Sequence, residues 1–232
     1  MPPIIMREAP ECTNTARPAA LTTTGNALCK PRKPVRKANE ARILDAAERV
    51  FAGAGFGGAT MAAIAEAAEL PKANLHYYFG NKRTLYRAVL ARILDDWLEP
   101  VQGIVLEADP RTALETYIRD KMRMAFARPQ ASKVFANELL HGAPEIGDML
   151  ATTLRPLVRE KVAVIDQWKA QGRIGAVDGT HLFFTIWAAT QTYADFGVQI
   201  QAVLGMDRLD ATQQQRATRH VIDTVLKACG LP

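Results

Sequence analysis

Apolar residues recur along this chain at the spacing of helical faces. Ile43, Ala47, Val50 and Phe51 fall on one face, Met61, Ile64, Ala65 and Ala68 on a second, and Leu85, Val89, Ile93 and Trp97 form an i, i+4 ladder. Leu114, Tyr117, Ile118, Met122 and Phe126 continue the pattern. Further helices follow over residues 130–141, 145–171, 181–204 and 211–229, the last with Val221, Ile222, Val225 and Leu226 on its apolar side. The breaks agree with this reading. Asn39, Thr60 and Asn81 stand where N-caps belong, Gly53, Gly55, Gly57 and Gly58 end the first helix, Pro100 ends the fourth, and Pro156 bends or interrupts the 145–171 helix. There is no strand alternation and no internal repeat, so about nine successive helices predict an all-α fold.

Residues 60–85 organise the first half. Two short helices are separated at Glu69-Leu70-Pro71, because proline cannot continue a helix but starts one well. The second carries Leu75, Tyr78 and Phe79 on one side, and Lys72, Ala73, Asn74, His76 and Tyr77 largely on the other. That arrangement is either a buried αα-hairpin or a helix-turn-helix. Charge favours the second, since residues 70–94 hold Lys72, Lys82, Arg83, Arg87 and Arg92 and no acid. Lys72, Asn74, His76 and Tyr77 are then placed for the major groove or its flanking phosphates, with Asn74 the best base reader, because an amide bonds adenine in bidentate fashion. Thr60 and Lys82 sit at helix N-termini, where free N–H groups favour a phosphate.

The block LPKANLHYYFGNKRTLYRAVL resembles the recognition helix and the start of the following helix in the tetracycline-repressor (TetR) family of bacterial transcription regulators. The preceding ARILDAAERVFAGAGFGGATMAAIAEAAE resembles helices one and two of the same domain. Two positions depart: Glu69 replaces a frequent turn glycine, and His76 a frequent tyrosine. The resemblance implies a three-helix DNA-binding domain over residues 38–84 and a helical ligand-binding and dimerisation domain over 85–232. It also implies a homodimer paired through its last two helices and a palindromic double-stranded operator. In the second half, ARPQASKVFANELLHGAP, VIDQWKAQGRI and HLFFTIWAATQTYADFGVQIQAVLG resemble the ligand domain of uracil- and thymine-responsive repressors of pyrimidine utilisation. This places Trp97, Trp187 and Gln191 in an effector pocket.

The residues themselves suit that ligand. Trp187, Gln191 and Asp195 are successive turns of one helical face. A pyrimidine offers a π face to an indole and an edge of alternating carbonyl and N–H groups to an amide; stacking of this kind is worth about 1–3 kcal/mol. Asn137, Glu138 and Tyr193 are further polar candidates. Glu138 and His141 form one E-x-x-H, but a carboxylate-bridged metal site needs a second copy and further glutamates, so no metal is expected. No nucleophile or phosphate-loop motif occurs, and neither a cofactor nor an enzyme is expected. Two alternatives stay open: the same regulator with another small aromatic effector, and a helical enzyme or carrier whose basic end takes phosphate-bearing substrates instead of DNA.

Composition narrows the setting. The 232 residues are 48% hydrophobic, without an apolar run long enough for a bilayer or a secretory signal, which predicts a cytoplasmic protein at the nucleoid. Cys12, Cys29 and Cys229 are too scattered for a disulfide framework or zinc. The net charge of +5 lies wholly in residues 1–38, which hold seven basic residues and two glutamates. Residues 1–37 therefore read as a disordered basic arm, with Arg32, Lys33, Arg36 and Lys37 able to reach phosphates or a minor groove.

Overall fold

The structure is a computed structural model that describes residues 33–231, with side chains from Val35 onward; Arg32, Cys12, Cys29 and the rest of the expected arm lie outside the described residues. Helix α1 (Lys33–Gly58) begins ahead of the expected Asn39 cap. Arg36 and Lys37 are exposed residues on its first turns and not part of a disordered arm. Pro34 explains the early start, since in a first turn its missing N–H has no partner to lose. Near its end α1 is interrupted at Gly55 (φ 65, ψ 174), a conformation suited to glycine.

Thr60 caps α2 (Met61–Ala67), its hydroxyl oxygen accepting from the Ala63 N–H at 3.0 Å. A tight turn leads to α3 (Lys72–Phe79), and Glu69 in that turn has φ 52. The left-handed region disfavours any residue with a Cβ. Glu69→Gly is expected to stabilise the protein by ~1 kcal/mol, a rise in Tm of about 2–4 °C by calorimetry; an unchanged or lower Tm would show the turn to be unstrained. Asn81 caps α4 (Lys82–Leu98), accepting from Thr84 N–H at 2.9 Å. Its ladder residues Leu85, Val89 and Ile93 are fully buried against Ile43, Ala47, Phe51, Ile64 and Leu75.

Pro100 opens a short 3-10 turn (Pro100–Gly103), and α5 (Pro110–Ala127) and α6 (Pro129–Leu140) follow. The expected 145–171 helix is divided. A turn of helix, α7 (Gly147–Met149), runs through a π turn (Leu150–Leu154) into α8 (Arg155–Ala170). Pro156 lacks an N–H and its ring crowds the preceding carbonyls, so the chain widens there instead of breaking. The expected 181–204 helix is likewise two, α9 (Gly179–Asp195) and α10 (Gly197–Leu204), hinged at Phe196; α11 (Ala211–Ala228) closes the chain.

Two apolar cores result. One holds α1–α4 with Val134, Phe135 and Ile146; the other is built from α5, α8, α9 and α11 around Leu114, Ile118, Trp168 and Phe183. Helix α6 thus belongs to the reading head's core as much as to the ligand body. No helix among the described residues is long and apolar enough to cross a membrane.

Candidate DNA interface and effector chamber

Helix α3 is anchored by Leu75 and Phe79, both buried, which turns Lys72, Ala73, His76 and Tyr77 to solvent and leaves Asn74 half-buried at the edge. Tyr77 remains 58% exposed, with its ring edge to face against Tyr78 at 5.3 Å. A large aromatic left in water on a basic face has no packing role. His76 Nδ1 lies 2.8 Å from the Gly80 carbonyl. That nitrogen must carry the proton, so Nε2 is the ring's outward atom.

Lys82 does not act as expected. Its ammonium donates to the carbonyls of Phe56 (2.8 Å) and Ala59 (3.0 Å), and lies 4.6 Å from the Phe56 ring centroid. The carbonyls at the end of α1 have captured the side chain, as the negative end of a helix does. A phosphate at α4 would meet backbone N–H groups instead. The other bases of the 70–94 stretch also turn away from the α3 front: Arg83 holds Glu145 at 2.8 Å, Arg87 holds Asp148 at 2.8 Å, and Arg92 holds Asp45 at 2.7 Å and Glu48 at 3.1 Å.

At the far end of α4 lies a partly open chamber of about 140 Å³. Trp97 from α4, Phe135 and Leu139 from α6, Leu150 and Leu154 from the π turn, and Phe183, Trp187 and Gln191 from α9 wall it. Phe183, Trp187 and Gln191 stand at i, i+4 and i+8, so one stripe of α9 faces inward. Trp187 Nε1 donates to the Tyr117 hydroxyl at 2.8 Å, which fixes the indole plane. Burial pushes the Tyr117 phenol up to about 12, so it is neutral at physiological pH.

The same geometry removes three expected residues. Tyr193 is two positions from Gln191, some 200° round α9 by helical geometry, and packs against Phe126 instead. On α6 the chamber is faced by Phe135 and Leu139, so Asn137 and Glu138 point elsewhere; they line a separate cleft against Gly55, Phe56 and Tyr86. There Glu138 accepts the Glu145 N–H at 2.6 Å and closes the loop after α6.

Sequence reasoning missed Lys121. It lies on the apolar stripe of α5, one turn from Tyr117, and is buried with its ammonium 4.3 Å from the Trp97 ring centroid. Desolvation lowers its pKa from 10.5 to about 8, against the pull of Asp195. A lysine at a core position of a helical repeat was the available signal. Beside it, burial raises the Asp195 carboxyl, against a hydrogen bond from the buried Ser132 hydroxyl and the pull of Lys121. Trp97, Lys121 and Gln191 also line a small continuing cavity that reaches Ser132 and Arg128. The chamber therefore has apolar aromatic walls and one polar end, at Lys121 and Gln191, that continues toward Ser132; Asp195, expected in the pocket, lines neither cavity. A larger open groove between α5 and α11 is lined by arginines, of which Arg119 and Arg123 already hold acids of their own helix.

Comparison with known proteins decides the family. Residues 43–89 match the family described as bacterial regulatory proteins, tetR family, and residues 90–232 match the YcdC-like protein C-terminal region. The chain belongs to the tetR family. Among tetR-family relatives, it is 42% identical over 186 residues to the HTH-type transcriptional regulator RutR of Escherichia coli, covering 80% of this chain and 85% of that protein. It is 26% identical over 191 residues to the HTH-type transcriptional repressor NicS of Pseudomonas putida, covering 80% and 89%. A transcriptional regulator from Streptomyces coelicolor, SCO4942, shares the fold with a TM-score of 0.66 at 23% identity, over 84% of this chain and 99% of that one. This tetR-family chain is accordingly a DNA-binding transcriptional regulator and not an enzyme.

Proposed function

We propose that the chain is a homodimeric repressor released from a palindromic operator by a small pyrimidine such as uracil or thymine. The carrying observation is the chamber: two indoles, the Gln191 amide and the Lys121 ammonium line one cavity at the end of α4. A pyrimidine edge alternates C=O and N–H. The Lys121 ammonium is a donor for a carbonyl, and the Gln191 amide serves a carbonyl or an N–H. The resemblance of residues 105–205 to uracil- and thymine-responsive repressors points the same way, and the gene target follows as pyrimidine utilisation in the cytoplasm.

Lys72, Ala73, Asn74, His76 and Tyr77 face the groove in this reading, with Thr60 and the N–H groups of α4 at phosphates, and Arg36 and Lys37 nearby on α1. The partner subunit covers apolar surface that the chain leaves open beside α9 and α11. Phe184 and Phe196 are 49% and 58% exposed, and Val198 and Val203 of α10 are 78% and 80% exposed. The apolar face of α11 is buried within its own chain, so that helix contributes its polar side.

Helix α4 spans about 25 Å at ~1.5 Å per residue and links the α3 turn to the chamber. A ring that fits best when α4 is displaced spreads the two reading heads. A ten- to hundred-fold preference, about 1.4–2.7 kcal/mol, releases a large share of operator. Uracil titrated into a protein–operator mixture is expected to weaken operator binding at least that much and to raise the Tm of the free protein. If uracil and thymine do neither, the pyrimidine assignment is wrong and the operator function stands alone.

A further inference from the structure

Helix α4 is not the sole connection between chamber and reading head. Arg128, at the junction of α5 and α6, lines the cavity that continues from the chamber beyond Trp97 and Gln191. Its Nη1 donates to Asp96 of α4 at 2.5 Å, and its Nη2 to Glu48 of α1 at 2.5 Å. Glu48 is 6% exposed, and among the described residues its other cation is Arg92 at 3.1 Å. Three segments therefore meet in one ionic knot, and one wall of the knot is a wall of the ligand cavity. A buried carboxylate is costly wherever its cations are absent, so it follows them when they move. Helix α6, which starts at the next residue, runs from the chamber into the head's core through Phe135 and Val134.

We propose that Arg128 and Glu48 are a positioning pair that carries effector occupancy from the α5–α6 junction directly to α1, alongside the path through α4. The inference rests on the effector reading above. When a ring occupies the polar end beside Lys121 and Gln191, Arg128 shifts with the α5–α6 junction and takes Glu48 and α1 with it. The reading head is then held at two points, α4 and α1, and turns as one body instead of pivoting about α4.

The test uses the full-length protein. Glu48→Met removes the link at a residue outside the chamber and leaves Arg128 paired with Asp96 and Arg92 with Asp45, and Glu48→Asp keeps the charge on a shorter reach. Uracil affinity by calorimetry is expected to stay within about three-fold of wild type in Glu48→Met, while the weakening of operator binding by uracil falls from ten-fold or more to below about three-fold. Glu48→Asp should fall between. A wild-type response in Glu48→Met overturns the proposal. If uracil binds neither protein, the effector reading has failed on its own, and the link is read from amide exchange. The α1 amides of Glu48→Met should then exchange about ten-fold faster than in wild type with α9 unchanged; equal protection of α1 in both proteins overturns the link.

Discussion

Lys121→Met yields a protein that is more stable than wild type at neutral pH and deaf to its effector. Lys121 is 5% exposed, and burial holds its pKa near 8 against 10.5 for a free lysine. The folded chain therefore gives up this proton more readily than the unfolded chain does. The penalty is fully present below pH 8 and is relieved as pH rises towards 10.5, so wild-type stability gains about 3 kcal/mol across that window from this group alone. Methionine has a similar shape and no charge. At pH 7 the variant should gain about 2–3 kcal/mol, roughly 4–10 °C in Tm, less whatever Asp195 loses with its neighbouring cation. The same change deletes a charged donor from the chamber, worth about 1.5–3 kcal/mol of effector binding, or ~10–150-fold. Operator affinity should be untouched. Calorimetric Tm at pH 7 and pH 10, with operator binding in the presence of uracil, checks all three. A variant that is less stable at pH 7 than wild type refutes the buried-charge account, and one that still responds to uracil removes Lys121 from the site.

The second large effect is at the other end. Lys72→Ala with Tyr77→Ala should leave the fold within about 0.5 kcal/mol of wild type, because both side chains are exposed and neither belongs to the core. A dimer carries the double change on both heads. At about 1 kcal/mol for each phosphate or groove contact, operator affinity falls by ~4 kcal/mol, near a thousand-fold, and the slope of binding against salt flattens by about two from the lost lysines. Binding within ten-fold of wild type would place the reading surface elsewhere.

How much of this was legible beforehand follows from the residues. Helical order and the helix-turn-helix pattern rest on spacing within single helices, which sequence displays directly, whereas Trp97, Trp187 and Gln191 were placed together by the family resemblance and only the Trp187–Gln191 pairing by spacing. Charge did not read so well. The acid-free stretch from 70 to 94 suggested a basic DNA face, yet Arg83, Arg87 and Arg92 turn to acids 44 to 62 positions away in sequence, and Lys82 turns to the end of α1. Those partners are fixed by tertiary packing, which a local count of charges does not see. Asn137 and Glu138 failed for another reason. Their helix was placed correctly, but its rotation depends on which neighbours claim Phe135 and Leu139. Lys121 was hidden by its chemistry, since a lysine on an apolar stripe reads as a solvated edge until the stripe is found to be enclosed.

Under the proposed effector reading, the π turn at Leu150–Leu154 sets how fast the protein can answer. Every other wall of the chamber is a helix with buried side chains, whereas this turn has none, although Leu150 and Leu154 close the cavity. Its opening is thus the cheapest local unfolding event around the bound ring. Sensing then has a clock of its own: the lag between a rise in metabolite and the loosening of the repressor is set by the breathing of five residues, and changes to the polar end of the chamber alter how tightly the ring is kept without altering how soon it arrives.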